Sequence, residues 1–472
     1  MKSTGFFEGV EVKKHPDPIS PDKCIIETNV LETRTGMVQF SGSYSTSEGP
    51  MLNAGYGEQN FLGTGKAVQL SLHAGRSLIG PGYSVSKEGS VEKLKRKQQF
   101  EMLKSANLSI SDSHLFGRDL TGGISLFKYT SSPFDNFLLK NYGASFDLSY
   151  VLGEHLTQSW ELGISRRVID HVDDFCSPLI KTQLIKYNEK NNSFNMNEQH
   201  KGVLTSLQTS FGYSLPIYDG PFKGRLGFKW ATSLLYDTGF GSMAWKNVFS
   251  GSYSKMLSRK VGLTLQSSYG MLTPLGKGEI NIIDSFASNI DSVRGFDEGS
   301  CCPHFVTVRK RVSNNKEEDK LLPVVNAAGA KKFINGTLSI SFPIGLPTEL
   351  NFRTFIFTDF GYYWDPVLPN NYEKYLIQQD EYNEVQYNDE KIKVRKASCI
   401  ADDKLHKDKN SKDTYKLVGH DVFEANGLGI SIGIGCSFDT PFGPISLSWA
   451  VPVKKSKFDK KRLFNFGMKT VF

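Results

Sequence analysis

The chain has 472 residues, 56 Lys and Arg against 49 Asp and Glu, 39% hydrophobic residues, 12% aromatic residues and 44 glycines. No apolar run approaches the roughly 18–20 residues of a spanning helix, so it is not a helical membrane bundle. Its 33 Phe and 19 Tyr exclude a disordered chain, and its aperiodic glycines exclude collagen. A net charge of +7 over this length does not point to nucleic acid.

In chain order, residues 9–14 and 24–33 read as two strands joined by a Pro/Asp-rich turn at 15–22. Two strands cannot form a stable unit alone, so 1–34 looks like the tail end of a small α/β domain. No apolar stretch there marks a signal peptide. The chain therefore reads as cytosolic or as lacking the beginning of a longer precursor.

From residue 35 onward the pattern is period two. Val68, Leu70 and Leu72 alternate with Gln69, Ser71 and His73, and Tyr142, Ala144, Phe146, Leu148 and Tyr150 with Gly143, Ser145, Asp147 and Ser149. The clearest run is 427–438, where Leu428, Ile430, Ile432, Ile434, Cys436 and Phe438 face a side made only of Gly and Ser. Ile445, Leu447, Trp449, Val451 and Val453 repeat the alternation. Helices would show period 3.6, and these runs do not.

A soluble sandwich also alternates, so connection lengths must decide. Short connections (60–66, 116–121, 153–158, 216–222, 257–260, 344–349 and 439–443) interleave with long ones (77–105, 170–202, 273–330 and 365–426). That predicts an all-β fold: a 16-stranded antiparallel transmembrane β-barrel over 35–472, with its longest surface loops at 273–330 and 365–426. Tyr362, Tyr363, Trp364 and Trp449 at strand ends suit interfacial girdles. The highly charged 365–426 reads as a mobile surface loop, and the basic 454–462 as a solvated one.

Chemical motifs are scarce. Six cysteines (Cys24, Cys176, Cys301, Cys302, Cys399, Cys436) fit neither a zinc spacing nor a disulfide framework, and a pairing of Cys301 or Cys302 with Cys399 is an open alternative. Residues 57–66 end in Gly-Lys but break the phosphate-loop pattern at Asn60 and Ala67. There is no His-Glu-x-x-His helix and no Gly-x-Ser-x-Gly elbow. No enzyme chemistry, cofactor or metal site is expected.

Ser292-Val293-Arg294-Gly295-Phe296 lies in the long connection before the twelfth strand. A Val-Arg-Gly-Phe tetrapeptide in the sixth surface loop resembles the signature of the BamA outer-membrane assembly superfamily. Asn60-Phe-Leu-Gly-Thr-Gly65 is similar to that family's turn after the second strand, Phe357-Thr-Asp-Phe-Gly361 to its strand-thirteen motif, and Asn465–Phe472 to its closing strand. Thr4–Val12 looks like the second half of the last periplasmic POTRA module. The resemblance covers nearly the whole chain.

It implies an integral protein of the bacterial outer membrane that folds and inserts other β-barrels. Its partners would be unfolded barrel clients, outer-membrane lipid and accessory lipoproteins reached through POTRA modules. A two-partner-type polypeptide secretion pore of the same superfamily is the alternative. It further implies a loop folded into the lumen, with Val293, Arg294, Gly295 and Phe296 locked against Phe357, Asp359 and Gly361. Strand parity puts Arg353, Phe357 and Asp359 on one face, where a guanidinium needs a carboxylate. The family's second carboxylate, on strand twelve, is replaced by Ser339. The barrel would close at a weak seam, Gln39, Phe40, Ser41 and Gly42 meeting Phe466, Gly467 and Phe472, with Gln39 facing Asn465 or Gly467.

Overall fold

The computed structural model describes residues 7–16, 24–45, 49–79, 84–85, 91–92, 97–131, 137–172, 176–188, 193–199, 201–219, 222–239, 241–276, 280–288, 292–313, 316–343, 352–368, 376–387, 390–399, 406–407, 414–423, 428–440 and 443–471. Sixteen strands close into one antiparallel barrel. They are β1 (Gly36–Ser45), β2 (Gly49–Glu58), β3 (Lys66–Ile79), β4 (Lys97–Asp112), β5 (Leu120–Ser131), β6 (Phe137–Val151), β7 (Leu156–Val172) and β8 (Lys201–Asp219). The second half comprises β9 (Phe222–Asp237), β10 (Ser242–Met256), β11 (Gly262–Pro274), β12 (Ala330–Phe342), β13 (Arg353–Pro366), β14 (Gly429–Thr440), β15 (Gly443–Lys454) and β16 (Phe464–Val471). Each pairs with its sequence neighbours, and β16 returns to β1. Among the described residues no helix is long and apolar enough to cross a membrane.

The alternation read from sequence is the wall of this barrel. On β14, Ile432 and Ile434 are half exposed on the outside, while Ser431 is fully buried inside. The inward glycines have a steric reason. A Cβ on Gly433 would lie 2.4 Å from the Phe357 ring, and one on Gly435 as close to Phe355. The glycine face of β14 is the bed on which two aromatic rings of β13 lie. Outside, Phe211, Trp230, Phe249 and Tyr269 stack from β8 to β11 at centroid spacings of 5.6, 5.9 and 6.4 Å, forming an aromatic row. Trp364 extends that row and stacks on Tyr362, and Trp449 is 58% exposed. Tyr363 was expected in the girdle, but it points inward and is 2% exposed, because its neighbours Tyr362 and Trp364 take the outward parity.

The short turns all lie at one end, where residue 35 also enters: Gln59 N donates to Thr35 O at 3.0 Å. The other end carries the long loops, although Ser45 to Gly49, Ser131 to Phe137 and Asp237 to Ser242 are brief links there too. Residues Phe7–Pro16 and Cys24–Glu32 form a separate two-stranded antiparallel sheet.

The described parts of the long loops build a dome, so 376–387, 390–399 and 414–423 are strands where 365–426 was read as a mobile loop. His304–Ser313 and Lys316–Ala327 from the β11–β12 connection join Leu376–Tyr387, Glu390–Cys399 and Thr414–Phe423 from the β13–β14 connection in one sheet. The charges had masked a second period of two. Lys391 and Lys393 are exposed, while Ile392 and Val394 pack with Val306, Val308, Val325, Val385 and Phe458. A short helix, α1 (Pro178–Leu184), from the β7–β8 connection buries Leu179, Ile180 and Leu184 against Phe137, Ile169, Ile282 and Phe305. Cys301 and Cys302 are buried free thiols, so neither pairs with Cys399.

Candidate functional site

Loop 6, the β11–β12 connection, returns into the lumen and meets β13. Arg294 donates Nε to Asp359 Oδ2 at 2.7 Å, Nη2 to Oδ1 at 2.8 Å and its backbone N–H to Oδ2 at 3.0 Å. Thr337 on β12 donates its hydroxyl to Oδ1 at 2.8 Å. The Asp359 carboxylate is fully buried, so these four donors stand in for its lost hydration. The guanidinium carbon also lies 3.3 Å above the centroid of the Phe357 ring, which caps it with a π-face.

The flanking residues explain why this segment needs its own sequence. Val293 and Phe296 are buried, and a Cβ on Gly361 would come 2.5 Å from Val293 Cγ2. Gly295 has φ +93°, and its Cβ would lie 3.2 Å from both Ser431 and Ala450. Only glycine satisfies that conformation and that closeness together. Ser431 donates to the Arg294 carbonyl at 2.5 Å. Ser339 is not the strand-twelve partner of Asp359: it faces Phe357, and Thr337 faces Asp359. Thr337 and Ser431 were not singled out from sequence, because nothing marks one inward hydroxyl among many until the register is known.

Loop 8, the β15–β16 connection, docks on the same segment through its backbone, Phe458 and Asp459, while Lys454, Lys455, Lys457 and Lys461 stay exposed as read from sequence. Gly295 and Phe296 pair with Arg462 and Lys461, and Asp297 N donates to Lys460 O at 2.9 Å. Asp459 accepts from Cys301 N and Ser456 N, both at 2.7 Å, and burial pushes its carboxyl above the usual range. Burial also pushes the Cys302 thiol up to about 12 and raises Cys301, so both stay protonated. Apolar Phe458 fixes this docking by burying in the dome.

Among the described residues pairing is shortest on the two sides of β16, one of which is the seam. Described pairs hold β16 at five positions to β1 and five to β15, against eight or more at every other junction. Ser41 faces Val471, Gly42 faces Thr470 and Ser45 faces Gly467. Gln39 does not face Asn465 or Gly467. The stagger that closing a tilted sheet requires sets Ser45 opposite Gly467 and leaves Gln39 outside the described β1–β16 pairs; Phe472 lies outside the described residues. Among the described residues, Gly36–Phe40 pairs with β2 alone. Ser41 is buried inside and Phe40 is 57% exposed outside.

Comparison with known proteins agrees with this geometry. The Omp85 superfamily domain matches residues 60–472. The chain is 22% identical over 99% of its length to the outer membrane protein assembly factor BamA of Neorickettsia risticii, and likewise to that of Neisseria meningitidis serogroup B. It spans about half the length of these curated relatives, 49% and 51%. Among solved structures, BamA from Haemophilus ducreyi lacking POTRA domains 1–3 superposes with a TM-score of 0.65 at 20% identity, covering 100% of this chain and 76% of that one. CdiB from Acinetobacter baumannii gives 0.51 at 10% identity, covering 100% and 67%. The barrel is therefore an outer-membrane protein. With its sixteen strands, inward loop 6 and Arg294–Asp359 fork, the chain belongs to the Omp85 superfamily.

Proposed function

We propose that the chain is the membrane part of an outer-membrane β-barrel assembly and insertion factor that templates client strands at the β1–β16 seam. The observation that carries this reading is the seam itself, five described pairs long, with Gly36–Phe40 paired to β2 alone among the described residues. An edge N–H or C=O in lipid is costly, and an incoming strand satisfies it by β-augmentation. The small polar residues of β1 (Gln39, Ser41, Gly42, Ser43) give little side-chain locking against that exchange. The Arg294–Asp359 fork keeps loop 6 seated in the lumen while the seam works.

Clients would be unfolded outer-membrane barrels. The sheet at 7–32 would be the end of a periplasmic POTRA module through which accessory lipoproteins are reached, and lipid around the seam would be disturbed during insertion. Reconstituted in liposomes, the full-length protein should speed membrane insertion of an unfolded reporter barrel. A rate equal to that of protein-free liposomes contradicts the proposal.

A further inference from the structure

Loop 6 is gripped at a second place, on the wall formed by β7, β9 and β10 rather than on β13, which carries the Arg294–Asp359 fork. Asp284 ends a short 3-10 turn (Ile282–Asp284) and is 5% exposed. Its carboxylate lies 2.8 Å from Arg167 Nη1 on β7, and the same nitrogen lies 3.4 Å from Asp237 on β9. Lys246 on β10 donates Nζ to the Asp284 carbonyl at 3.2 Å and sits 4.5 Å over the Phe286 ring. Two cations and two carboxylates thus share one buried cluster and balance in charge. Removing Asp284 would leave two cations facing one carboxylate in a desolvated site.

Five further hydrogen bonds order the same stretch, four of them to residues outside it. Gln183 on α1 accepts from Ile282 N at 3.0 Å and donates to Ile280 O at 3.3 Å. Asn281 accepts from Ile283 N and caps the turn. Phe286 exchanges two backbone hydrogen bonds with Ala330, at 2.8 and 2.9 Å.

We propose that Asp284, with Arg167 and Lys246, is a second ionic anchor, which fixes the entry limb of loop 6 to the β7–β10 wall independently of the Arg294 fork on β13. The loop then ties two walls of the barrel together across the lumen. The walls that carry the tie exclude β1 and β16, so the seam strands can move while the span between β7 and β13 is held. This goes beyond the assembly reading, because a tie across the lumen would be equally present in a pore.

The test is amide hydrogen exchange on the purified full-length protein in detergent, comparing peptides covering 280–288 and 292–300. Asp284→Asn, close to isosteric, should raise exchange in 280–288 by about tenfold or more and leave 292–300 protected. Asp359→Asn should do the converse. The two effects should sum in the double variant. Unchanged exchange at 280–288 in Asp284→Asn overturns the anchor, and equal loosening of both segments by either variant overturns its independence. Should Asp284→Asn fail to show the heat-modifiable gel shift of a folded barrel, Lys246→Met decides. It keeps the Arg167–Asp284 pair and should loosen 280–288 alone, and no loosening overturns the proposal.

Discussion

Tyr44 of β1 and Phe466 of β16 meet across the barrel seam, ring centroids 5.8 Å apart and planes tilted by 52°. They are diagonal neighbours, since Tyr44 faces Met468 directly. Such a contact adds about 0.5–1.5 kcal/mol beyond area burial. It fastens a junction whose backbone pairing is otherwise short. Phe466→Ala should therefore speed amide exchange in 464–471 by roughly two- to tenfold, with β13 and β14 unchanged. Equal exchange in variant and wild type would mean that the rings merely lie beside each other.

The fork should be sensitive to shape as well as charge. Arg294→Ala leaves the buried Asp359 with Thr337 and one backbone N–H, a loss of about 3–5 kcal/mol for a fully desolvated pair. The Arg294 side chain is 20% exposed, which places the expected loss toward the lower end. Arg294→Lys keeps the charge but cannot reach both carboxylate oxygens in one plane, so it should rescue only part. The temperature at which the heat-modifiable gel shift disappears should fall in the order wild type, Lys, Ala.

Gly295→Ala tests the backbone of the same segment. At φ +93° any Cβ is strained, and here it also meets Ser431 and Ala450 at 3.2 Å. A cost of about 1–3 kcal/mol follows from strain of this kind. Loop 6 should become cleavable by protease at lower temperature while the barrel stays heat-modifiable. Wild-type protection in Gly295→Ala would show that the loop can re-seat.

The dome should loosen in acid. Burial, with Lys460 nearby, holds His304 down from the usual 6.5 to about 3, and burial with Arg309 does the same to His420. Both are neutral in folded and unfolded chains above pH 6.5. Between pH 6.5 and 3 the unfolded chain binds protons that the folded dome refuses, so stability falls with pH by up to about 1.4 kcal/mol per unit for each histidine. Asp459 runs the other way: its raised carboxyl favours the folded dome as pH falls, and that contribution is lost as pH rises through its folded value. Measured in Asp459→Asn, protease susceptibility of the dome should rise below pH 6.5, and His304→Gln with His420→Gln should flatten that rise.

The barrel was legible because lipid outside and polar side chains inside impose a period of two on every crossing, and β14 shows it residue by residue. Arg294 and Asp359 could be paired from sequence because a motif and strand parity both constrained them. The dome was not legible: Lys391, Lys393 and Arg395 interleave with Ile392 and Val394, which are core, so the composition of the strand hides its alternation. The Arg167–Asp284–Lys246 cluster was hidden for another reason. Its members come from β7, a loop and β10, and only the register and the path of loop 6 bring them together. Gln39 was misplaced because barrel stagger cannot be read from alternation, which is the same at every shift of two.

The most direct measurement is a disulfide across the seam. Ser45 and Gly467 stand opposite each other, and a Cβ at Gly467 would come only 3.0 Å from the movable Ser446 hydroxyl on β15. With the six native cysteines replaced, Ser45→Cys and Gly467→Cys should bridge if their Cα atoms lie about 4.4–6.8 Å apart. Insertion of a reporter barrel into liposomes is then followed with and without reductant. Insertion should drop to the protein-free rate when the bridge is closed and recover when it is reduced. Full activity with the bridge verified closed would contradict templating at the seam and favour passage of polypeptide through the lumen.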